Sequence, residues 1–412
     1  MNRNKSHLSI VSGLLVWGMA FGAQAQEGVT GDLDKIVSEG SVKLDLRYRF
    51  ENVDDDNFKK DANASTLRTR VTFQSGNIYG FDGLVEFDNV TYVGNDNFNS
   101  TENGVLDRPV VADPKGTEVN QAKLTYTWND LVNSYGRQRI LHGSQRFVGG
   151  VAWRQNEQTY DGFRAKWGNA EAVQLDYAYV YNINRIFGPD DRAAQPANWH
   201  GENHLLRLDW TPFENHKLTG FYYGLEIDER SSWVPNKSVN NSSDTWGVEY
   251  SGKLGPVAAK AAWATQSDAG DSYQDYDADY YMIEGGMNIA VVNVKLGYEV
   301  LGAGDGVGFK TPLATLHKFQ GWADKFLVTP DDGIEDLYVG ATGKLGPVKL
   351  GAFYHDFQAE DSSNDYGTEL DLVATWPINK QFSTQLKYAN FSSDIDSMSD
   401  TEKLWVTLQL KL

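Results

Sequence analysis

The sequence predicts an all-β fold: a transmembrane, antiparallel, up-and-down β-barrel of about eighteen strands, sixteen being the alternative count. Three observations predict it. Both ends of the barrel region alternate with a period of two, an export signal precedes them, and long polar connections alternate with short turns throughout. In the last segment Leu404, Val406, Leu408, Leu410 and Leu412 share one face, and Lys403, Trp405, Thr407, Gln409 and Lys411 share the other. Near the start Val42, Leu44, Leu46, Tyr48 and Phe50 oppose Lys43, Asp45, Arg47, Arg49 and Glu51. Successive strand side chains point to opposite faces, so each segment has one apolar and one polar wall.

Residues 1–25 read as a cleavable signal peptide. Arg3 and Lys5 form the basic start, Leu8 to Phe21 the apolar stretch, and Ala23-Gln24-Ala25 the cleavage site. A short periplasmic leader follows over 26–40, in which Asp32 to Ser38 suits a helical turn or two. The barrel is assigned to 41–412. No later segment approaches the roughly 20 apolar residues of a spanning helix. A closed barrel is then the remaining way to cross a bilayer, because open sheet edges would leave backbone N–H and C=O groups unpaired in hydrocarbon.

Composition narrows the function. There is no cysteine, which excludes disulfides, thiolate metal sites and thiol nucleophiles. The net charge is −19, and removing Arg3 and Lys5 with the signal takes it to −21. Such an acidic chain is not a nucleic-acid partner.

Short connections fall near Ser75–Gly80, Asn129–Asn133, Gly168–Ala170, Thr211–His216, Gly252–Pro256, Ala290–Val291, Gly343–Pro347 and Pro377–Gln381. The connections between them are long. This is the asymmetry of an outer-membrane barrel with short periplasmic turns and longer extracellular loops. Gly252-Lys-Leu-Gly-Pro-Val257 recurs as Gly343-Lys-Leu-Gly-Pro-Val348, each at a short turn. Trp128, Trp167, Trp210 and Trp376 each precede a short turn, as an aromatic girdle at one lipid headgroup level would.

If apolar faces meet lipid, the opposite faces line a water-filled lumen. Inward positions then hold Arg47, Arg49, Arg68, Arg70, Lys123, Arg137, Arg139, Arg164, Lys166 and Arg207, and the loop after the fifth strand adds Arg146 and Arg154. Guanidinium forks match carboxylates, so a row of them suits the passage of an anion between several weak sites. The alternative is that these arginines and the interleaved Asp45, Glu51, Glu86, Asp88, Asp176 and Asp209 neutralise one another and brace the wall. Acidic loops such as Asp54-Asp55-Asp56 and the Asp268–Asp279 run suit solvent or cation-bridged lipopolysaccharide.

Trp153, Trp199, Trp233, Trp322 and Phe353 fall inward or in loops, where rings stack on sugars. Leu313, Leu316, Phe319, Ala323 and Phe326 have near-helical spacing, which suits a short amphipathic helix over Thr311–Phe326 or, equally, a surface loop packing on its neighbours. Catalysis has little support. His200 and His204 are read as loop residues, and no Gly-x-Ser-x-Gly or His-Glu-x-x-His motif occurs. No cofactor or metal is expected.

Ala64 to Arg70, Val111 to Gln121, Gly136 to Ile140, Gln145 to Gly149 and Trp153 to Gln158 together resemble the alginate-export family of outer-membrane porins. The resemblance is dense from Val42 to Trp167 and thinner beyond. It implies a barrel of about eighteen strands in the bacterial outer membrane, passing an anionic polysaccharide or related acidic solute. It also places Arg68, Arg70, Arg137, Arg139, Arg146 and Arg154 in or near the conducting path. The expected function is passive diffusion of anionic solutes such as acidic sugars or an alginate-like oligosaccharide, with outer-membrane lipid, lipopolysaccharide and the solute as partners. A weakly selective general porin is the alternative. An outer-membrane hydrolase or an adhesin with a closed lumen are the readings from other classes.

Overall fold

The computed structural model describes residues 34–189, 195–228 and 237–412. The expected signal peptide lies outside the described residues. The described part of the leader makes one helical turn over 34–38, and the Ile36 carbonyl accepts a hydrogen bond from the Gly76 amide in the first short turn.

The strands follow in chain order: β1 (Ser41–Asp55), β2 (Ala62–Gln74), β3 (Phe81–Asn97), β4 (Gly116–Trp128), β5 (Leu131–Gln138) and β6 (Thr159–Gly168). Then come β7 (Val173–Asn184), β8 (Asn198–Phe213), β9 (His216–Ile227), β10 (Ser243–Leu254), β11 (Val257–Asp268), β12 (Asp277–Ile289) and β13 (Val292–Leu301). A two-residue hairpin, β14 (Ala303–Gly304) and β15 (Val307–Gly308), sits in the next long loop. The wall resumes with β16 (Ile334–Leu345), β17 (Val348–Gln358), β18 (Asp365–Pro377), β19 (Phe382–Ser393) and β20 (Thr401–Lys411). Every neighbouring pair is antiparallel, and β20 pairs with β1 from Lys411↔Asp45 to Thr401↔Asp55, closing an 18-stranded barrel.

The repeated hexapeptide makes the same turn twice. Gly255 and Gly346 take φ of +61° and +58°, and the flanking pairs Leu254↔Val257 and Leu345↔Val348 close two-residue hairpins. Positive φ at the first loop position followed by Pro matches a type II′ turn, whose twist suits the strands it joins. The outer face carries exposed Leu124, Leu208, Val248, Ile283, Leu296 and Leu337. Trp128, Trp167, Trp210 and Trp376 are 45–61% exposed at the short-turn end of that face.

The interior departs from the expected open lumen. The chain leaves the wall after β5 and again after β13, and both loops fold inward. Val148 and Leu313 form a parallel bridge, the Gly149 amide donates to the Leu313 carbonyl at 2.8 Å, and the Thr315 amide donates to the Gln145 carbonyl at 3.0 Å. Phe147, Phe309, Leu313 and Phe326 from these loops join a core with Phe221, Tyr223, Tyr280, Leu301, Phe357 and Phe391 from the inner faces of the long-loop half. Burying each such ring or branched side chain contributes about 1.5–3 kcal/mol. Of the two readings of Thr311–Phe326, the packed loop is the one present and the helix does not form. A single 3-10 turn, Leu316–Lys318, is present in this segment, and Leu313, Ala323 and Phe326 on either side of it join the core.

Phe309 is fully buried against Tyr280 and Phe147, with centroids 5.8 and 6.2 Å apart. Phe309→Ala should therefore cost about 3–5 kcal/mol of loop anchoring. Hydrogen exchange should speed up over 309–326 while the barrel strands keep their protection. Unchanged protection in that loop would contradict its place in the core.

Candidate functional site

Strand register sets the inner charges. Arg47 faces Arg68, and Arg70 faces both Asp45 and Asp88. The first inward loop relieves the Arg47–Arg68 repulsion. Arg47 donates to the Ala152 carbonyl at 2.8 Å, to Gln155 Oε1 at 3.0 Å and to the Arg154 carbonyl. Arg49 donates to the Trp153 carbonyl and lies 3.8 Å from Asp113. Arg68 pairs with Asp45 at 3.3 Å. Arg154 reaches back to Glu51 at 3.0 Å, Asp113 at 3.7 Å and Asp324 of the second loop at 3.8 Å.

Glu157 is the hub of this wall. It accepts from Arg70 at 2.7 Å, Arg139 at 2.5 Å and Asn120 at 3.1 Å. Glu86 accepts from Arg139, Thr72, Asn120 and Gln121. Burial alone would raise the Glu157 pKa, but the Arg70 and Arg139 guanidiniums outweigh it and hold the carboxyl down at about 2. Arg146 pairs with Glu299 at 2.9 Å, and Arg207 with Asp209 at 3.1 Å and Glu249 at 2.8 Å. All of these arginines are braced by carboxylates or carbonyls and, Arg139 excepted, buried.

A second set stays open to the lumen. Arg139 and Arg164 keep 26% and 14% of their side chains accessible. Lys123 sits within electrostatic reach of Arg164, Arg139 and Lys166, and the Asp82 carboxylate offsets part of their repulsion. Asp176, which faces Lys166 across the β6/β7 ladder, is engaged by Arg164 at 2.5 Å. Among the described residues neither Lys123 nor Lys166 has a carboxylate at ion-pair distance. On the far wall Lys260 and Lys295 share one carboxylate, Glu284, at 2.7 and 3.1 Å. Lys318, on the 3-10 turn of the second loop, donates to the Ser144 carbonyl at 2.8 Å. Partial desolvation, then repulsion from Lys260 and Lys295, pushes its ammonium pKa down. Sequence reasoning missed these three. Lys260 and Lys295 stand alone on their strands rather than in alternating pairs, although their inward parity was readable.

Arg137 is a correction. Its register partners are Ala122 and Asp161, on the outer face with Leu124, Tyr135 and Phe163. The chain leaves the sheet after Gln138, so Arg139 points inward by the path of its loop while Arg137 stays outside. Arg137 binds Asp161 with both prongs at 2.8 and 3.0 Å, and Asn182 and Asn184 complete that carboxylate at 2.9 and 3.0 Å. This offsets part of the cost of charge on a lipid-facing wall. His200 and His204, read as loop residues, lie in β8 with exposed side chains. Among the described residues no cluster of His, Asp and Glu is arranged to hold a metal. Trp153 stacks on His317 with centroids 3.4 Å apart, Trp199 is buried inward, and Trp233 lies outside the described residues.

A family model described as "Alginate export" matches residues 39–300. The chain belongs to the alginate export family. Its fold is also that of solved outer-membrane channels. Acinetobacter baumannii OccAB2 is 13% identical with a TM-score of 0.71, the match covering 92% of this chain and 99% of that one. Pseudomonas aeruginosa OpdK, solved with vanillate, is 12% identical with a TM-score of 0.67, covering 92% and 99%. Acinetobacter baumannii OccAB4 is 13% identical with a TM-score of 0.67, covering 90% and 98%. At such identities the likeness is one of fold. No curated protein sequence matches. Family and fold together make this chain a porin of the bacterial outer membrane.

Because its pKa is depressed when folded, Glu157 contributes stability above its unfolded pKa, and that contribution fades as pH falls from about 4.5 toward 2. Glu157→Gln should destabilise the folded barrel by about 3–5 kcal/mol at pH 7. Thermal melts of the detergent-solubilised protein across this range should show the difference between wild type and variant shrinking with acidity. A constant difference would contradict the hub role.

Proposed function

We propose that this porin is a passive diffusion channel that prefers anions, with acidic sugars or alginate-like oligosaccharides as its solutes. The observation that carries the reading is the patch of Lys123, Arg139, Arg164 and Lys166 on the β4–β6 wall, two of whose members lack a carboxylate partner among the described residues. Lys260, Lys295 and Lys318 across the lumen, with one shared carboxylate, support it. A passing carboxylate exchanges water for lysine ammoniums already gathered at one level, which favours entry without tight capture. Trp128, Trp167, Trp210 and Trp376 serve this channel as its lower headgroup belt. The solved neighbour with vanillate is consistent, since vanillate carries a carboxylate.

The second reading, a weakly selective general porin, has its own observation. Arg49, Arg68, Arg70, Arg146, Arg154 and Arg207 are all paired with carboxylates. Liposome swelling with neutral and acidic oligosaccharides of matched size separates the two. The anion reading expects faster swelling with the acidic sugar, and Lys123→Gln with Lys166→Gln should cut that advantage roughly threefold. Equal rates for both sugars in the wild type would favour the general porin.

A further inference from the structure

The wall across the lumen from the β4–β6 cations holds two aromatic rings in a particular way. Tyr338 faces Gly297 and Phe353 faces Gly340 across the ladder. A Cβ at Gly297 would lie 2.2 Å from the Tyr338 ring, and one at Gly340 would lie 2.5 Å from the Phe353 ring. Each ring therefore lies flat on the backbone of its glycine partner. Both side chains remain half-buried, leaving ring surface toward the lumen.

Charge is arranged around these rings. Lys295 Nζ is 4.7 Å from the Tyr338 centroid and 5.2 Å from that of Phe353. Glu284 fixes the set by accepting from Lys295 at 3.1 Å and from the Tyr338 hydroxyl at 2.9 Å. Above them Trp322 of the second inward loop meets Phe353 edge to face at 5.5 Å.

We propose that Tyr338, Phe353 and Lys295 form a stacking subsite for a flat-faced ring that bears a carboxylate, a hexuronate being the form that fits the acidic-sugar reading. The inference rests on the anion-channel reading and adds ring recognition to it. The apolar face of a pyranose covers an aromatic face, while the carboxylate meets the neighbouring ammoniums. Filling space over glycine needs the rings alone. The lysine beside both of them is what makes the pair suit an acidic ring.

The test uses the purified barrel in planar bilayers. Block of chloride current is measured with glucuronate, with open-chain gluconate of the same charge, and with 4-hydroxybenzoate. Glucuronate should block at a concentration about threefold or more below gluconate. Hydroxybenzoate blocking better still would support the ring subsite and name aromatic acids as its source. Phe353→Leu, with retained heat-modifiable mobility on gels as the folding check, should bring the glucuronate-to-gluconate ratio toward one and leave the chloride-over-potassium preference unchanged. Equal block by all three acids in the wild type, with chloride preference intact, would overturn the subsite while sparing the channel reading. Loss of chloride preference in the wild type would overturn the reading beneath it.

Discussion

Backbone pairing in hydrocarbon is the constraint on which the rest of this structure depends. A lipid-exposed N–H or C=O without a partner costs several kcal/mol, so no strand of the wall can be left with a free edge. The chain meets this by running its last strand back along its first, with Leu410 opposite Leu46 and Val406 opposite Phe50. Once the sheet is closed, alternation assigns every side chain to lipid or lumen. It also creates an interior too wide for strand side chains to fill. The two inward loops answer that width. They bring their own apolar residues to the inner faces of β8, β9, β12, β13, β17 and β19, and they carry backbone carbonyls to the arginines of β1.

The inner charges divide by accessibility. Buried arginines such as Arg68 and Arg154 are matched by carboxylates, and removing one partner would leave an uncompensated charge in a poorly hydrated setting. Pairs such as Arg154–Glu51 and Arg70–Glu157 act as struts that hold the first loop to β1 and β2. The open cations are less completely matched, and most of them, Lys123, Arg164, Lys166, Lys260 and Lys295, stand on wall strands rather than within the packed loops. The proposed anion preference draws mainly on this second group, because a strutted pair presents a dipole rather than a net charge. The lumen is thus part core and part vestibule.

Most of the wall was legible in the sequence because two-residue periodicity, Gly-Pro turns and tryptophan placement all report on one geometry. The inward course of Arg47, Arg49, Arg68 and Arg70 follows directly from parity along two long strands. Legibility failed where the chain leaves the ladder. Arg137 and Arg139 share parity, yet the sheet ends between them. The filled upper lumen also had a signal that periodicity alone did not weigh. Leu205-Leu206, Phe221-Tyr222-Tyr223 and Val300-Leu301 are apolar on both faces, which in a barrel wall means that protein, not water, lies inside. The partners that decide each charge's role, such as Glu157 between Arg70 and Arg139, come from loops whose course no local pattern encodes.

With the outer wall against lipid, the proposed anion preference rests on the accessible inner charges. The reversal potential of the wild-type protein in a planar bilayer under a potassium chloride gradient tests it most directly. A potential of the sign set by chloride permeation is expected. A potential near zero, or one of the sign set by potassium, would contradict it.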